Sequence, residues 1–217
     1  MVRKRPPPGG RFLVGAGEPY TGPMDERPIA TPADTPPRAA SIFLIGPMGS
    51  GKSAVGKALA RLRGLRFTDS DAEIERRTGV DIQFIFEKEG EPGFRLRERE
   101  VIDDLTRVPG VVLATGGGAV LLPENRAHLA SRGIVVYLEA SVAQQLERTR
   151  HGRHRPLLLN ADPSARLAEL LSVREPLYRS IAQVTVATDR RKVQTVAEQI
   201  LAGIDALPRA GVATGQA

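Results

Sequence analysis

The sequence has no cysteine, few aromatic residues and no long apolar run. The absence of cysteine excludes disulfides and thiolate metal sites, and it agrees with a cytoplasmic protein. Aromatic residues make up only 4% of the chain, so side chains on which bases could stack are scarce. No apolar run approaches the roughly 20 residues of a membrane span, and the basic N-terminus lacks the apolar segment of a secretory signal. We therefore expect neither a nucleic-acid partner nor a membrane.

Basic residues outnumber acidic ones by 31 to 25, which gives a formal charge of +6 and an isoelectric point near 10.1. They are spread along the chain rather than clustered, so the charge favours small anionic ligands over nucleic acid. With 217 residues, of which 41% are hydrophobic, the chain can bury one substantial core but is short for two independent domains. The expected organisation is one domain with a tail.

Residues 1–40 differ in composition from the rest of the chain. They contain nine of the seventeen prolines, several glycines and no amphipathic period, so we predict a disordered extension there. The folded domain is expected over residues 41–207, and residues 208–217 are expected to form a loose tail. Both Met1 and Met24 are possible start positions on the sequence alone.

Short apolar runs alternate with helical patterns from residue 42 onward. Strands are predicted at 42–45, 65–68, 111–114, 134–138 and 184–187, and helices near 52–62, 71–107, 123–131, 141–149, 163–180 and 192–205. Most of the strand candidates are continuous apolar runs, which is typical of strands buried on both faces. This alternation predicts an α/β fold, in which helices wrap a parallel sheet and ligands bind at the carboxyl ends of the strands.

A phosphate-binding motif follows the first predicted strand directly. Residues 46–53 read GPMGSGKS and match the pattern G-x-x-x-x-G-K-[ST]. The glycines let successive backbone N–H groups point at phosphate oxygens, Lys52 can reach the β- and γ-phosphates, and the Ser53 hydroxyl can bind Mg²⁺. The helix that should follow adds the positive end of its dipole to the anion site. The motif predicts a nucleoside triphosphate as ligand.

Two carboxylates follow the second predicted strand, at Asp69 and Asp71. A P-loop kinase needs a carboxylate near Mg²⁺ and an acceptor that orients or deprotonates the attacking hydroxyl. Asp69 suits the first role and Asp71 the second. The alternative is an aspartate that caps the helix beginning near Ala72, which is a common arrangement.

Two arginines lie in charged helical patterns further along the chain. Most of residues 94–100 should be a solvated face held by charge pairs. Arg95 is the exception, because Glu98 one turn later could fix its guanidinium for bidentate binding of a carboxylate. Arg174 precedes Pro176, which should close a helix and leave Arg174 near the helix end, where a cation is favourable even without a ligand.

Two loops complete the set of candidates. Residues 115–119 read TGGGA, and three adjacent glycines at a strand end suggest close approach of the backbone to a ligand, with a plain flexible turn as the alternative. Residues 151–159 form a basic loop in which Arg155 could neutralise charge on a transferred phosphoryl group; a solvated loop is the alternative. His151 and His154 have no third ligand at a suitable spacing, so we predict no zinc site.

In combination these motifs resemble the shikimate kinase family, small P-loop kinases of chorismate and aromatic amino-acid biosynthesis. The resemblance covers residues 41–205 and rests on GPMGSGKS at 46–53, DSD at 69–71, GFR at 93–95, TGGG at 115–118, RPLL at 155–158 and REPLY at 174–178. It implies a three-layer α/β/α P-loop fold with a five-stranded parallel sheet in the order 2-3-1-4-5. It also implies a helical substrate-binding region at about 70–107 and a mobile lid at about 150–162.

The resemblance also implies an ATP site. The phosphates would be bound by Gly49, Ser50, Gly51, Lys52, Ser53 and Ala54. Ser53 and Asp69 would hold Mg²⁺, the cofactor, with Asp69 acting through water. Arg155 corresponds to a lid arginine that contacts the transferred phosphoryl group, and Arg148 to an arginine that packs against adenine.

By the same resemblance the second substrate is shikimate. Asp71 would hold its hydroxyls and act as the base for the 3-hydroxyl, while Lys52 and Arg155 complete the catalytic set. Arg95 and Arg174 would bind the substrate carboxylate, and the backbone of Gly116, Gly117 and Gly118 would line the pocket. The implied reaction is Mg²⁺-dependent transfer of the γ-phosphoryl group of ATP to shikimate by a cytoplasmic monomer.

Two other functions remain open at this point. A P-loop kinase of another hydroxy acid, such as gluconate, would share the nucleotide loop but not the set formed by Arg95, the glycines and Arg174. A non-catalytic nucleotide-binding regulator would be expected to lack Lys52, Asp71 or a substrate arginine, and all of these are present. The proline-rich extension is not part of the family core, and the resemblance implies nothing about its role.

Overall fold

The computed structural model describes residues 40–150 and 162–208. All but one residue of the predicted extension therefore lies outside the described residues. The same is true of most of the predicted lid, including Arg155, and of residues 209–217.

Five strands form one sheet whose neighbours all pair in parallel. The strands are β1 (Ile42–Ile45), β2 (Arg66–Asp69), β3 (Val111–Ala114), β4 (Ile134–Glu139) and β5 (Val184–Ala187). Their order is β2-β3-β1-β4-β5, which confirms the predicted topology. Two strands differ from the prediction by one residue: β2 begins and ends one position later, and β4 ends one position later.

Helices follow each strand in the predicted order. They are α1 (Lys52–Arg63), α2 (Ser70–Thr78), α3 (Ile82–Arg107), α4 (Pro123–Arg132), α5 (Val142–Thr149), α6 (Pro163–Ile181) and α7 (Val193–Asp205), with a 3₁₀ turn at Ala119–Leu121. The helical pattern over 71–107 is divided at Gly79, and α3 is kinked at Gly90, where φ of 68° and ψ of −176° are not helical. Gly79 ends α2 in the left-handed conformation, with φ of 72°, and the Asp81 side chain caps α3 by accepting from the Phe84 N–H at 2.7 Å.

The expectation that Pro176 closes a helix near Arg174 is wrong. α6 continues through Pro176 to Ile181, so Arg174 lies well inside the helix. A proline in a helix removes the hydrogen bond to the carbonyl four residues earlier, here that of Ser172. Ser172 is exposed, so water can donate a hydrogen bond to the carbonyl that Pro176 leaves without a helical partner.

The core lies on both faces of the sheet, which makes the architecture three-layered. On one face, alternate strand residues such as Phe43 and Ile45 pack against α3, α4 and α6. On the other face, Ile42 and Leu44 pack against α1 and α7. This alternation explains why β1 reads as a continuous apolar run. Across the described residues, no helix is both long and apolar enough to cross a membrane. The carboxyl ends of all five strands meet at one edge, where the candidate site lies.

Candidate active site

A cavity of about 710 Å³ opens at the carboxyl ends of the central strands. Thirteen predicted site residues line it: Gly49, Gly51, Lys52, Ser53, Ala54, Asp69, Asp71, Arg95, Gly116, Gly117, Gly118, Arg148 and Arg174. Ser50 is fully buried in the loop behind the cavity. Arg155, the remaining predicted residue, lies outside the described residues.

The loop at residues 46–53 is shaped by three glycines in conformations that other residues rarely adopt. Gly46, Gly49 and Gly51 have φ of 141°, 76° and 93°. A β-carbon on Gly46 would lie 2.5 Å from the carbonyl oxygen of Leu138 at the end of β4, so there is no room for a side chain. The loop thus packs closely on β4 and leads directly into the N-terminus of α1, where unpaired N–H groups attract anions.

Lys52 reaches back over the loop that precedes it. Its Nζ donates to the carbonyl oxygens of Gly46 and Pro47, both at 2.8 Å, and to the Ser50 hydroxyl at 3.4 Å. The ammonium group is therefore held at the mouth of the loop, beside the cavity. A cation in this place complements phosphate oxygens bound by the loop amides.

Asp69 uses its two carboxylate oxygens in two different ways. Oδ2 accepts from the Ser53 hydroxyl at 2.7 Å, and Oδ1 accepts from the backbone N–H of Asp71 at 3.0 Å. The capping alternative and the functional interpretation are thus both compatible with the structure. A hydroxyl and a carboxylate fit Mg²⁺, which binds through one or two protein ligands together with waters and phosphates. In the described part of the chain, no group of three or more His, Cys, Asp or Glu side chains could hold a metal ion by itself.

Asp71 carries a carboxylate oxygen that is buried without a partner. Its Oδ1 has no hydrogen bond, as is also true of Oε1 of Glu98. Burial raises the pKa of Asp71 to about 7, and the charges of Glu98 and Asp69 act in the same direction, against the opposing effects of Lys52 and Arg95. A carboxyl group with a pKa near neutrality is partly ionised at physiological pH and can accept a proton from a substrate hydroxyl.

Arg95 is held on the wall of the cavity by two carboxylates of α3. Its Nη1 donates to Glu98 at 2.5 Å, and its Nε and Nη2 both donate to one oxygen of Glu91, at 3.2 and 2.8 Å. The Glu98 contact confirms the pairing predicted from the helical spacing. Glu98 is completely buried, and burial raises its pKa although the guanidinium of Arg95 opposes the shift.

Two glycines of the run, Gly116 and Gly118, are packed closely against the side chains around them. A β-carbon on Gly116 would lie 2.5 Å from Oε1 of Glu98 and 2.8 Å from Oδ1 of Asp71. On Gly118 it would overlap the Arg95 guanidinium. Gly118 has φ of −101°, so the requirement for glycine there is steric rather than conformational. The backbone of this loop forms the floor between the predicted base and the predicted carboxylate-binding arginine.

Arg174 brings a second buried guanidinium to the same cavity, with only 5% of its surface exposed. Burial lowers its pKa, and the positive charge of Arg95 acts in the same direction. Two neighbouring arginines withdrawn from water constitute a strong site for an anion, since a bound carboxylate would relieve both the repulsion and the desolvation.

The geometry therefore combines a phosphate loop with an anion-binding pocket. A family model described as shikimate kinase matches residues 48–205. The chain belongs to the shikimate kinase family. This membership confirms the predicted recognition and the predicted enzyme class, an ATP-dependent small-molecule kinase.

Individual shikimate kinases match over most of their length. The shikimate kinase of Halorhodospira halophila is 57% identical over 167 residues, which cover 77% of this chain and 94% of the relative. That of Pseudomonas syringae pv. tomato is 55% identical over 168 residues, covering 77% of this chain and 98% of the relative. A solved shikimate kinase from Acinetobacter baumannii in complex with shikimate has a TM-score of 0.75 at 50% identity, over 76% of this chain and 92% of the other.

The gluconate alternative has weaker support. A solved gluconokinase from Sinorhizobium meliloti has a TM-score of 0.53 at 22% identity, covering 76% of this chain and 91% of the other. At that identity the likeness shows a shared fold and nothing about the acceptor. The family assignment favours the shikimate kinase interpretation over this alternative and over the non-catalytic regulator.

Arg148, the weakest of the matches to the shikimate kinases, links two loops at the cavity. Its Nη1 donates to the carbonyl oxygen of Gly49 at 3.0 Å, and its Nη2 donates to that of Thr188 at 3.0 Å. The guanidinium thus joins the phosphate loop to the loop after β5. Its position beside the cavity is compatible with stacking on a nucleotide base.

Sequence reasoning missed several residues that shape the site. The sequence indicates Glu98 only as a support for Arg95, although its second oxygen faces Asp71 across Gly116. Phe86 and Phe94 also line the cavity, with ring centroids 4.8 Å apart. Phe94 belongs to the GFR motif at 93–95, whereas Phe86 has no signal beyond an apolar position in a helix, which is equally typical of a core residue.

Proposed function

We propose that this chain transfers the γ-phosphoryl group of ATP to the 3-hydroxyl of shikimate, giving shikimate 3-phosphate and ADP. The observation that carries the proposal is that Asp71, Arg95 and Arg174 all line one cavity beside the phosphate loop, in a member of the shikimate kinase family. An acceptor with a carboxylate at one end and hydroxyls at the other matches this arrangement. The reaction would belong to chorismate and aromatic amino-acid biosynthesis.

The donor half of the site is proposed to bind ATP. Amide groups of residues 49–54 and the ammonium of Lys52 would hold the phosphates, and Arg148 would pack against adenine. Ser53 and Asp69 are the residues that would hold Mg²⁺; the ion would supply positive charge to the phosphate oxygens during transfer. The proposal is supported by the hydrogen bond between Ser53 and Asp69, which places both oxygens at the loop.

The acceptor half of the site is proposed to orient and deprotonate shikimate. Arg95 and Arg174 would bind the carboxylate, which fixes the ring with its hydroxyls toward Asp71. The 3-hydroxyl oxygen would form a bond to the γ-phosphorus as the bond to the ADP oxygen breaks, and the hydroxyl proton would pass to Asp71. The raised pKa of Asp71, about 7, supports this role, because the group can both take up and release a proton near neutral pH.

Three further assignments rest on the resemblance and remain proposals. Arg155, in residues 151–161, is proposed to neutralise the transferred phosphoryl group when the lid closes over the nucleotide. The protein is proposed to act as a monomer. A cytoplasmic location is proposed because the chain contains no cysteine and its substrates are small metabolites.

A coupled assay of ADP release tests the function directly. The full chain is assayed with ATP and Mg²⁺ in the presence of shikimate, of gluconate and of no acceptor. We expect ADP release that depends on shikimate and is at background with gluconate. If gluconate gave release and shikimate did not, the assignment of the acceptor would be wrong. Background rates with both acceptors would favour the non-catalytic regulator instead.

A further inference from the structure

Two buried hydroxyl groups hold the glycine run at its backbone. The Ser70 hydroxyl accepts from the N–H of Gly116 at 3.0 Å, and the Tyr178 hydroxyl donates to the carbonyl oxygen of Gly117. Both side chains are completely buried, with 0% of their surface exposed. The peptide group before Gly116 and the peptide group after Gly117 are thus fixed from two different helices, α2 and α6.

Each of these hydroxyls lies beside a proposed substrate residue. Ser70 immediately precedes Asp71 at the start of α2, and Tyr178 follows Arg174 by one turn of α6. Residues four apart in a helix lie on the same face. The glycine run is therefore the element through which the start of α2 and the last turn of α6 are connected at the cavity.

The glycine run cannot move far without contacting neighbouring side chains. A β-carbon on Gly116 would approach Asp71 to 2.8 Å and Glu98 to 2.5 Å, so these carboxyl groups are packed against the α-carbon itself. Gly118 is packed equally closely on the guanidinium of Arg95. A shift of the loop by less than 1 Å would change the distances between the acceptor groups, and misplacement on that scale is enough to alter binding and rate.

Both hydroxyls are themselves rigidly placed. The ring of Tyr178 stacks on Tyr137, with centroids 5.0 Å apart and planes tilted by 24°. Burial raises the pKa of Tyr178 above its ordinary value, so the phenol remains a hydrogen-bond donor at physiological pH. Ser70 lies in the first turn of α2, whose N-terminus is fixed by the capping carboxylate of Asp69.

We propose that Ser70 and Tyr178 are positioning residues that clamp the glycine run and thereby set the spacing between Asp71, Arg95 and Arg174 for the acceptor. Ser70 contacts the backbone of the glycine run, and Tyr178 contacts that backbone and the side chain of Arg174. The expected effect on the KM for shikimate rests on the proposed function. The clamp itself, which consists of the two hydrogen bonds to the glycine run, does not. The clamp gives a role to two hydroxyls that the transfer step does not use.

Tyr178→Phe removes one anchor and retains the stacked ring. Loss of a buried hydrogen bond of this kind should raise the KM for shikimate by about 5- to 20-fold, with the KM for ATP changed by less than about twofold. Tyr137→Phe is the matched control, because Tyr137 is equally buried and its hydroxyl has no hydrogen-bond partner among the described residues. An equal rise in the control variant would overturn the proposal, since it would indicate a general effect on packing.

Ser70→Ala removes the other anchor and should give a similar rise in the KM for shikimate, which Ser70→Thr should largely reverse by restoring a hydroxyl. Ser41→Ala is the control here. Ser41 is also buried and also accepts from a backbone N–H, that of Val111 at 3.3 Å, but at the opposite end of the sheet. If Ser41→Ala and Ser70→Ala had the same kinetic effect, the clamp would be rejected.

Hydrogen exchange of the Gly116 amide tests the clamp without turnover. NMR of the labelled full chain should show exchange at Gly116 at least about tenfold faster in Ser70→Ala than in the wild type, because the amide loses its acceptor. Unchanged exchange together with unchanged kinetics would overturn the inference. If the wild type released no ADP with shikimate, the proposed function would fail, and the Gly116 exchange rate alone would then decide the clamp.

Discussion

Asp71 and Glu98 face each other across the α-carbon of Gly116. Oδ1 of Asp71 and Oε1 of Glu98 would lie 2.8 and 2.5 Å from a β-carbon at that position, and both are buried without a hydrogen bond. Burial raises the pKa of Asp71, and the charge of Glu98 raises it further. Burial also raises the pKa of Glu98. Burial together with the nearby charge of Glu98 gives a physical reason for a base that titrates near neutral pH.

Asp71→Asn should separate activity from stability. We expect kcat to fall roughly 10²- to 10⁴-fold, as for loss of a general base, with little change in ATP affinity. Because the pKa of Asp71 is raised from 3.8 to about 7, folding favours the protonated carboxyl group. The resulting contribution to the free energy of unfolding is fully present below pH 3.8 and is lost as the pH rises through about 7. The amide removes a buried charge, so the Tm should rise, and by more at pH 8 than at pH 5. Scanning calorimetry at both pH values measures this. A lower Tm at pH 8 would contradict the assignment.

The pH dependence of kcat/KM for shikimate should report the carboxyl pair. Asp71 must be ionised to accept a proton, so activity should fall as pH drops below about 7. Glu98→Gln removes a negative charge that raises the pKa of Asp71. The acid limb of the pH profile, which is the range over which activity falls with falling pH, should therefore move to lower pH. Glu100→Gln, on the exposed side of the same helix, is the control and should leave the limb in place. An acid limb unmoved by Glu98→Gln would exclude coupling between the two carboxyls.

Gly118→Ala should damage the acceptor pocket selectively. The added β-carbon overlaps the guanidinium of Arg95, which must shift, while φ of −101° permits alanine without backbone strain. We expect the KM for shikimate to rise roughly 10- to 100-fold with an almost unchanged KM for ATP. Gly79→Ala is a useful contrast: φ of 72° makes it strained, but no atom lies within 4 Å of the new carbon. That variant should lose about 1 kcal/mol of stability and keep both KM values.

Arg148→Ala should weaken nucleotide binding. The change removes the link between Gly49 and Thr188 and the cation proposed to pack on adenine. We expect the KM for ATP to rise about 3- to 30-fold, with the KM for shikimate unaffected. Arg150→Ala, two residues later and exposed, is the control. If both substitutions raised the KM for ATP equally, Arg148 would contribute only positive charge and no specific contact with the nucleotide.

Deleting residues 1–40 should leave the shikimate-dependent rate within about twofold of the full chain, because the strands and the cavity-lining residues of the described part of the chain follow residue 40. The steady-state assay with both substrates measures this. A truncated protein that folds, as judged by its far-UV circular dichroism, but has lost turnover would show that the extension takes part in the site.

Much of the fold could be predicted because strands buried on both faces read as continuous apolar runs. β1 and β3 have the predicted bounds for this reason. The errors lie where the local signal is ambiguous. Gly79 divides the predicted helix over 71–107, whereas Pro176, which should end a helix, does not. Local propensity alone does not decide whether a glycine or a proline interrupts a helix, because tertiary structure can override it.

The site was predictable to the extent that its residues occur in motifs. Lys52, Asp71 and the glycine run could be assigned because their spacing relative to strand ends places them at one edge of the sheet. The opposition of Asp71 and Glu98 was not predictable, because it depends on how α3 crosses the end of β3. Ser70 likewise reads as an ordinary polar residue until its partner on another loop is known.

β1 and β2 follow one another in the chain, but β3 lies between them in the sheet. The hydrogen bond from Ser53 to Asp69 therefore bridges the end of a strand that begins only at Val111. A growing chain that stops before β3 can hold neither the bond nor the nucleotide site. Parallel pairings between distant segments form slowly during folding. A nucleotide that binds only after β3 has joined the sheet stabilises the native state but not the transition state for folding. Such a ligand should slow unfolding rather than accelerate folding.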